Sequence, residues 1–455
     1  MDLKPLFAPT SMAVCGVSLS NDRHPANVIY NKNLLRFPVR MYPVNPRGGT
    51  LRGERVYTGI DQIDGDVDLA VIAVRAEHVA VILEQCIVKK VKGAVVISGG
   101  FAEADRQDLQ DQIVAIAKRA EFPFVGPNCL GIYAPSLVDT FFLPSERMVT
   151  PEKGKVAIVS QSGGILVDLL VKFAGEGIGL SLAVSIGNKA LVKEEQLLAH
   201  LAEDAATSVI AFYIEGFGHK EGRRFVEAAR KCKKPIVVMK AGKTSGGQRA
   251  VSSHTASLAG DYKVLSDIFS QYGIIEARNE LELLSFCESL SNYQSCSVQK
   301  IGIITGSGGH GAMAVDACMA HDLEVPLLSE SAQKLLRDSL SPSIQSIAAL
   351  GNPLDLTGSA VEDDFATATS AMLESSEIDC VLVLLLPYLP GISSDLSARI
   401  SQLAKKADKP LIAYVPHVDK YRMLIEGFEL NQVPVSPSIE GAVLMAEALR
   451  RRSSC

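Results

Sequence analysis

Lys155-Val-Ala-Ile-Val159 runs into Ser160-Gln161-Ser162-Gly163-Gly164, and Ile165 to Phe173 follows with apolar residues at helical spacing. A short β-branched run predicts a strand, the small polar residues predict a turn, and the periodic stretch predicts a helix with Ser162 as its N-cap. Such a helix start leaves N–H groups that attract a phosphate, while the same residues equally describe an ordinary capped helix. The two readings are compatible.

The pattern recurs on either side. Ala13-Val-Cys-Gly-Val-Ser18 and Ile303-Ile-Thr-Gly-Ser-Gly308 also carry an apolar strand into a Gly/Ser turn. Strand-like runs lie at 11–16, 39–44, 68–74, 93–97, 155–159, 180–186, 207–214, 235–240, 300–304, 379–386 and 410–415, with helical patterns in many of the gaps. This alternation predicts an α/β fold with parallel sheets covered by helices on both faces. Punctuation at Pro144 to Gly154 and at Ser291 to Gln299 divides the chain into three α/β domains, 1–145, 150–295 and 299–455.

Composition narrows the function classes. The chain has 455 residues, 47% hydrophobic and 21% charged, with a formal net charge of −6, which offers no general attraction to nucleic acid. The longest apolar run, Val381 to Pro387, is too short to cross a bilayer, so no membrane span is expected. Met1-Asp-Leu-Lys-Pro-Leu-Phe7 resembles neither a secretion signal nor a transit peptide, and a cytoplasmic location is expected. The cysteines at 15, 86, 129, 232, 287, 296, 318, 380 and 455 form no C-x-x-C pair, which argues against a disulfide framework or structural zinc. The histidines show no metal-ligand spacing, so no metal is expected on this chain.

Chemistry concentrates in the loops. His254 sits in Val251-Ser-Ser-His-Thr-Ala-Ser-Leu-Ala-Gly-Asp261, an imidazole among small and hydroxylated residues after the strand-like 235–240 and the segment Ala241 to Gly247. An imidazole is a competent nucleophile towards an activated phosphoryl group, and neighbouring hydroxyl and N–H groups could hold that phosphate. The alternative is a solvated loop. Glu215 ends the predicted strand at 207–214, where a carboxylate could orient an imidazole or simply face water. In the first domain, ligand-side turns are expected at Gly16-Val17-Ser18, Val44-Asn45-Pro46-Arg47, Ala73-Val74-Arg75, Ser98-Gly99-Gly100-Phe101 and Gly126-Pro127-Asn128-Cys129. The first lacks the full G-x-G-x-x-G, which weakens a nicotinamide-dependent reading and leaves phosphate binding in general.

Taken in order, Tyr42-Pro-Val-Asn-Pro46, Gly126-Pro-Asn-Cys-Leu-Gly131, Ser160-Gln-Ser-Gly163, Gly187-Asn-Lys189, Tyr213-Ile-Glu-Gly216 and Ser253-His-Thr-Ala-Ser-Leu-Ala-Gly260 resemble the α subunit of ADP-forming acyl-CoA synthetases, relatives of succinyl-CoA synthetase. The resemblance spans nearly the whole chain. It implies a CoA-binding Rossmann-like domain followed by two succinyl-CoA-ligase-like domains, the last one flavodoxin-like. It also implies CoA contacts from Gly16, Val17, Ser18, Asn45, Pro46, Arg47, Val74, Arg75, Ser98, Gly99 and Asn128. Ser160, Gln161, Ser162, Gly163 and Gly164 would hold phosphate, and Glu215 would steady His254 as it receives the phosphoryl group. Inorganic phosphate would cleave acyl-CoA to acyl phosphate and CoA, and His254 would pass the phosphoryl group to ADP, leaving a small organic acid. No segment resembles an ATP-grasp domain, so ADP/ATP and Mg²⁺ would belong to a β subunit, in an α₂β₂ assembly by default.

The chain departs from the family pattern in places. Ala256 and Val17 stand where the family has Gly and Ala, and Ala190-Leu191-Val192-Lys193 stands where it has Ala-Asp-Val-Asp. The family's Gly-Lys segment for the CoA 3′-phosphate is replaced by Arg23-His24-Pro25-Ala26-Asn27, which leaves Arg23 or Lys32 as substitutes. His310, in a Gly-rich turn, has no role in the resemblance. The change after Lys189 motivates a second reading, a non-catalytic CoA or acyl-CoA-binding regulator built on the ligase scaffold.

Overall fold

The computed structural model describes residues 2–252, 261–293, 297–407 and 409–453. The histidine loop, with His254 in it, lies outside the described residues. The chain divides into two compact units, Met1–Arg278 and Asn279–Cys455.

The first unit contains two parallel-strand sheets. In one, five parallel strands run in the order Arg40–Val44, Ser11–Cys15, Leu69–Ile72, Gly93–Val96, Phe124–Val125. Its strands read as continuous apolar runs because both faces are covered. Along Ser11–Cys15, Met12 and Val14 enter one core while Ala13 and Cys15 enter the other, the two-residue alternation of a pleated strand.

The other sheet has seven strands, in the order Ile275–Ala277, Ile236–Lys240, Val209–Ile214, Lys153–Ser160, Leu180–Ser185, Gly131–Ala134, Val138–Asp139. The first five are parallel. The last two are antiparallel and come from the chain ahead of the central strand. One apolar core runs through both sheets, joining Val14, Val71 and Val125 to Ile132, Val184 and Phe212.

The second unit is built on a five-stranded parallel sheet ordered Leu354–Asp355, Ile301–Thr305, Cys380–Leu384, Leu411–Tyr414, Val435–Ser436. Its helices Glu280–Asn292 and Ile439–Ser453 are joined where Ser289 Oγ donates to the Met445 carbonyl at 2.7 Å.

Numbered in chain order within each sheet, the parallel strands of all three follow 2-1-3-4-5. The three Gly/Ser turns that echo one another in sequence leave the first strand of each sheet, beside the point where strand order reverses. Among the described residues no helix is long and apolar enough to cross a membrane.

Candidate active site in the first unit

The expected CoA-side turns lie along the carboxyl edge of the first sheet, knit together by short polar contacts. Gly16 has φ +101°, and a Cβ there would stand 2.4 Å from the Ala73 carbonyl oxygen, so the turn beside the switch point admits glycine alone. Asn45 Nδ2 donates to the Val17 carbonyl at 2.7 Å, and its Oδ1 accepts the Arg47 N–H at 2.9 Å. Asn27 Oδ1 accepts the Ser18 N–H at 2.6 Å. Ser98 Oγ accepts the Val74 N–H at 3.2 Å, and the Ser98 carbonyl accepts the Asn128 N–H at 2.8 Å. Gly16 to Ser18, Asn45 to Arg47, Val74, Arg75, Ser98, Gly99 and Asn128 thus follow four strand ends and the turn after a fifth.

Of the two proposed substitutes for the 3′-phosphate contact, Lys32 is removed by the structure. Its ammonium is buried, 2.8 Å from the Asp139 carboxylate, and donates to the Phe141 carbonyl at 2.6 Å. Arg23 is exposed beside His24, whose Nδ1 accepts the Ala26 N–H at 3.3 Å at the start of the helix Pro25–Arg36.

The second sheet contributes the helix start read first in the sequence. Ser160 Oγ donates to the Ser162 carbonyl at 2.6 Å and accepts the Ser162 N–H at 3.1 Å, fixing the turn before the helix Gly163–Gly175. Ser162 Oγ caps the helix by accepting the Ile165 N–H at 3.4 Å. A Cβ at Gly164 would meet no atom within 4 Å, so the first helical turn faces open space.

Gln161 has a different task from its neighbours. Its Oε1 accepts the N–H groups of Glu215 at 2.7 Å and Gly216 at 3.0 Å, and its Nε2 donates to the Gly216 carbonyl at 2.9 Å and to Glu194. The amide is fully engaged in holding the turn that carries Glu215. Lys240 pins the same turn from the next strand, Nζ donating to the Glu215 carbonyl at 2.7 Å. The Tyr213 phenol is pushed up to about 12, first by burial and then by the Glu215 carboxylate to which it is hydrogen-bonded. Glu215 is therefore seated on a braced turn, its carboxylate half-buried.

These pieces meet in one cavity of about 530 Å³. Asn128 and Cys129 come from the first sheet's edge; Gln161, Ser162, Gly163 and Gly164 from the helix start; and Glu215 from the braced turn. Leu130, Phe142, Leu143 and Val167 complete the lining with Ile97, Gly187 and Asn188. The Cys129 thiol is pushed up to about 12 by burial and stays protonated at neutral pH.

A second cavity of about 380 Å³ shares Gln161, Gly187 and Asn188 with the first. Lys189 lines this second cavity, its ammonium 2.8 Å from Glu194 and 3.0 Å from Glu221 and donating to the Gly216 carbonyl at 2.8 Å. Burial alone would raise the Glu221 carboxyl, but Lys189, Lys193 and the Gly218 N–H bring it down to about 2. Gly187 has φ +52°, and a Cβ there would stand 2.2 Å from the Asn128 carbonyl oxygen. Beyond it, the N–H groups of Asn188, Ala190 and Val192 donate to the carbonyls of Pro127, Gly126 and Phe124 at 3.0, 3.1 and 3.4 Å. Leu191 is carried by this seam into the first sheet's core, and Lys193 pairs with Glu221. Both departures from Ala-Asp-Val-Asp therefore have structural partners. Lys240 and the engaged amide of Gln161 escaped sequence reasoning; a lysine ending a strand beside a Glu-Gly turn was the available signal.

Residues 10–135 match the family described as CoA binding domain, and residues 153–290 match the one described as succinyl-CoA ligase like flavodoxin domain. The chain is 37% identical over 391 residues to "Acetate--CoA ligase [ADP-forming] I" of Archaeoglobus fulgidus, covering 85% of this chain and 55% of that protein. It thus spans about half the length of that relative. A solved structure of "Ca. Korarchaeum cryptofilum dinucleotide forming Acetyl-coenzyme A synthetase 1 in complex with phosphate and ADP" superimposes with a TM-score of 0.90 at 29% identity, covering 100% of this chain and 97% of that one. The "Acetate--CoA ligase [ADP-forming] I subunit alpha" of Pyrococcus furiosus is 34% identical over 468 residues, covering 100% of this chain and 98% of that subunit. With the α/β architecture and the paired cavity walls in place, this full-length correspondence shows that the chain belongs to the α-subunit family of the ADP-forming acyl-CoA synthetases.

Proposed function

We propose that this chain is the α subunit of an ADP-forming acyl-CoA synthetase, an acid–thiol ligase that interconverts acyl-CoA, phosphate and ADP with acid, CoA and ATP. The observation that carries this reading is the shared cavity, in which Asn128 of the CoA-side edge, the helix start at Ser162 to Gly164 and Glu215 line one space. CoA lies along Gly16, Val17, Ser18, Asn45, Pro46, Arg47, Val74, Arg75, Ser98 and Gly99, with its thioester end at Asn128. Phosphate sits at the N-terminus of the helix Gly163–Gly175, where aligned peptide dipoles and N–H groups favour an anion without a basic side chain. Ser160 shapes the turn, Ser162 to Gly164 face the phosphate, and Gln161 acts by positioning Glu215.

A phosphate oxygen attacks the thioester carbonyl, the C–S bond breaks, and CoA leaves as a thiolate that takes up a proton. An imidazole nitrogen of His254 then attacks phosphorus, the P–O bond to the acyl group breaks, and the acid leaves as carboxylate. Glu215 orients the imidazole and balances the charge of the phosphorylated ring. Phosphoryl transfer to ADP follows on an ATP-grasp β subunit carrying Mg²⁺, in an α₂β₂ assembly. In this scheme the expected segments 1–145, 150–295 and 299–455 carry CoA binding, the phosphohistidine and a further flavodoxin-like domain, with the helix Glu280–Asn292 of the middle segment belonging to the second unit. A cytoplasmic setting is part of the reading, supported by the free thiols of Cys15, Cys86, Cys129, Cys232, Cys287, Cys318 and Cys380.

The test is intact-mass and acid-stability analysis after incubation with the ATP-grasp partner, Mg²⁺ and ATP, comparing wild type with His254→Ala. An acid-labile, base-stable phosphate absent from the variant is expected. Full ATP formation by His254→Ala would sink the assignment. The departures that motivate a binding-only regulator are accounted for by packing of Leu191 and pairing of Lys193, which leaves no observation favouring that alternative.

A further inference from the structure

Resting on that reading, we propose that Lys32 is a positioning residue of the reaction: its buried ammonium fastens the segment 140–144 to the CoA-side helix, so that Phe142 and Leu143 stand beside the acyl end of the thioester. Lys32 has 5% of its side chain exposed and Asp139 7%, with 2.8 Å between ammonium and carboxylate. Taking two charges out of water offsets most of their mutual attraction, so such a pair adds little stability, and its better-attested use is to fix one arrangement of the chain.

What Lys32 arranges is a stretch without regular structure. Residues 140–144 lie in neither helix nor strand, between the strand Val138–Asp139 and the short turn of helix Ser145–Arg147. The Lys32 ammonium donates to the Phe141 carbonyl at 2.6 Å and to the Leu143 carbonyl at 3.4 Å. Asp139 Oδ1 accepts the Phe141 N–H at 2.9 Å. The neighbouring Asn33, fully buried, donates to the Asp139 carbonyl at 2.6 Å and accepts the Asp139 N–H at 3.1 Å. Phe142 and Leu143, held by these bonds, line the 530 Å³ cavity together with Asn128 and Ser162 to Gly164.

The same helix, Pro25–Arg36, also grips the CoA-side turn. Asn27 Oδ1 accepts the Ser18 N–H at 2.6 Å, and its Nδ2 donates to the Ser18 carbonyl at 2.8 Å. One helix therefore carries the grip on the CoA turn and the grip on the cavity wall. An acyl-CoA spans the two, and a displacement of about 1 Å between them costs up to about a hundredfold in rate.

The experiment is acyl-CoA formation by the complete α/β enzyme with CoA, ATP and Mg²⁺, with acetate, propionate, isovalerate and phenylacetate as probes and the acid that wild type uses best followed in the variants. Lys32→Met should lower kcat/KM for that acid by about tenfold or more while the KM for CoA changes by less than about threefold. Phe142→Ala/Leu143→Ala removes the wall; adding Lys32→Met to it should lower kcat/KM by less than about threefold more, since the ammonium then has no wall to place. Lys32→Gln/Asp139→Asn removes both charges and leaves no unpaired ion, and it supplies the same comparison where Lys32→Met does not fold. Equal losses with and without the wall, a loss shared equally by acid and CoA, or an unchanged kcat/KM overturns the positioning role and leaves the ligase reading intact. Where ATP phosphorylates His254 and none of the probes is used, the affinities of the corresponding acyl-CoAs relative to CoA, measured without phosphate, decide the matter: Lys32→Met should abolish the acyl contribution, and its retention overturns the proposal. Absence of both turnover and His254 phosphorylation, with the partner bound, overturns the ligase reading itself.

Discussion

Gln161 and Glu215 are joined through the backbone: the side-chain carbonyl of Gln161 accepts the Glu215 N–H at 2.7 Å, at the ends of strands that pair in parallel. The helix start and the carboxylate are thereby set in one rigid frame, and disturbing the amide should disturb both. Gln161→Leu leaves the N–H groups of Glu215 and Gly216 buried without their acceptor and should cost roughly 2–4 kcal/mol. Urea unfolding measures that cost. In the assembled enzyme kcat should fall more than CoA affinity does, and an unchanged kcat would mean that the turn is held without this amide.

Glu221 gives the fold an acid-sensitive joint. Its carboxyl lies at about 2 in the folded chain against an ordinary 4.5. A depressed carboxyl contributes stability that is complete above the unfolded value and is lost as pH falls through the folded one, so the loss belongs between pH 4.5 and about 2. Glu221→Gln should flatten the stability curve in that window. At neutral pH it should cost roughly 3–5 kcal/mol, because Lys189 and Lys193 lose a buried partner. A curve that parallels wild type through the window would show that Glu221 does not control it.

Leu191, at a position where the family resemblance implies an aspartate, is buried in the first sheet's core. Leu191→Asp, although it introduces the residue the resemblance implies, should lower stability by about 3 kcal/mol or more, since the carboxylate meets apolar neighbours. Thermal unfolding checks this. A neutral or stabilising outcome would mean that the seam can present residue 191 to solvent.

Cys129 lines the 530 Å³ cavity with a thiol raised to about 12. A raised thiol is deprotonated only as pH approaches that value, so at pH 8 its thiolate fraction is roughly 10³ lower than that of an unperturbed cysteine. Alkylation by iodoacetamide, followed by mass spectrometry, should be correspondingly slow in the folded protein and rapid after denaturation. Fast labelling at pH 8 in the folded state would contradict the burial.

The long parallel strands were legible because each is an apolar run of usable length between turn signals. Phe124–Val125, Ile275–Ala277, Leu354–Asp355 and Val435–Ser436 escaped notice: each has two or three residues at a sheet edge, too few to show a period. The antiparallel addition at Gly131–Ala134 and Val138–Asp139 follows from long-range pairing with Leu180–Ser185, which local patterns do not encode. In the candidate site, the turn at Ser160 to Gly164 and the carboxylate at Glu215 stood out as types and positions. The task of Gln161 did not, because glutamine in a polar turn reads alike whether it faces ligand or backbone. Lys32 looked available in sequence, and only its approach to Asp139 removes it. The apolar side of the cavity was illegible because it gathers Leu130, Phe142, Leu143 and Val167 from separate segments.

The seam from Gly187 to Val192 places alternate N–H groups of one sheet's connecting loop on carbonyls at the margin of the other. The turn that carries Asn128 is consequently registered by main-chain bonds against the loop that follows Leu180–Ser185. Cohesion of the two parts therefore does not rest on residues 145–152 alone. A nick there should leave two pieces still gripped by main-chain bonds and a common apolar interior.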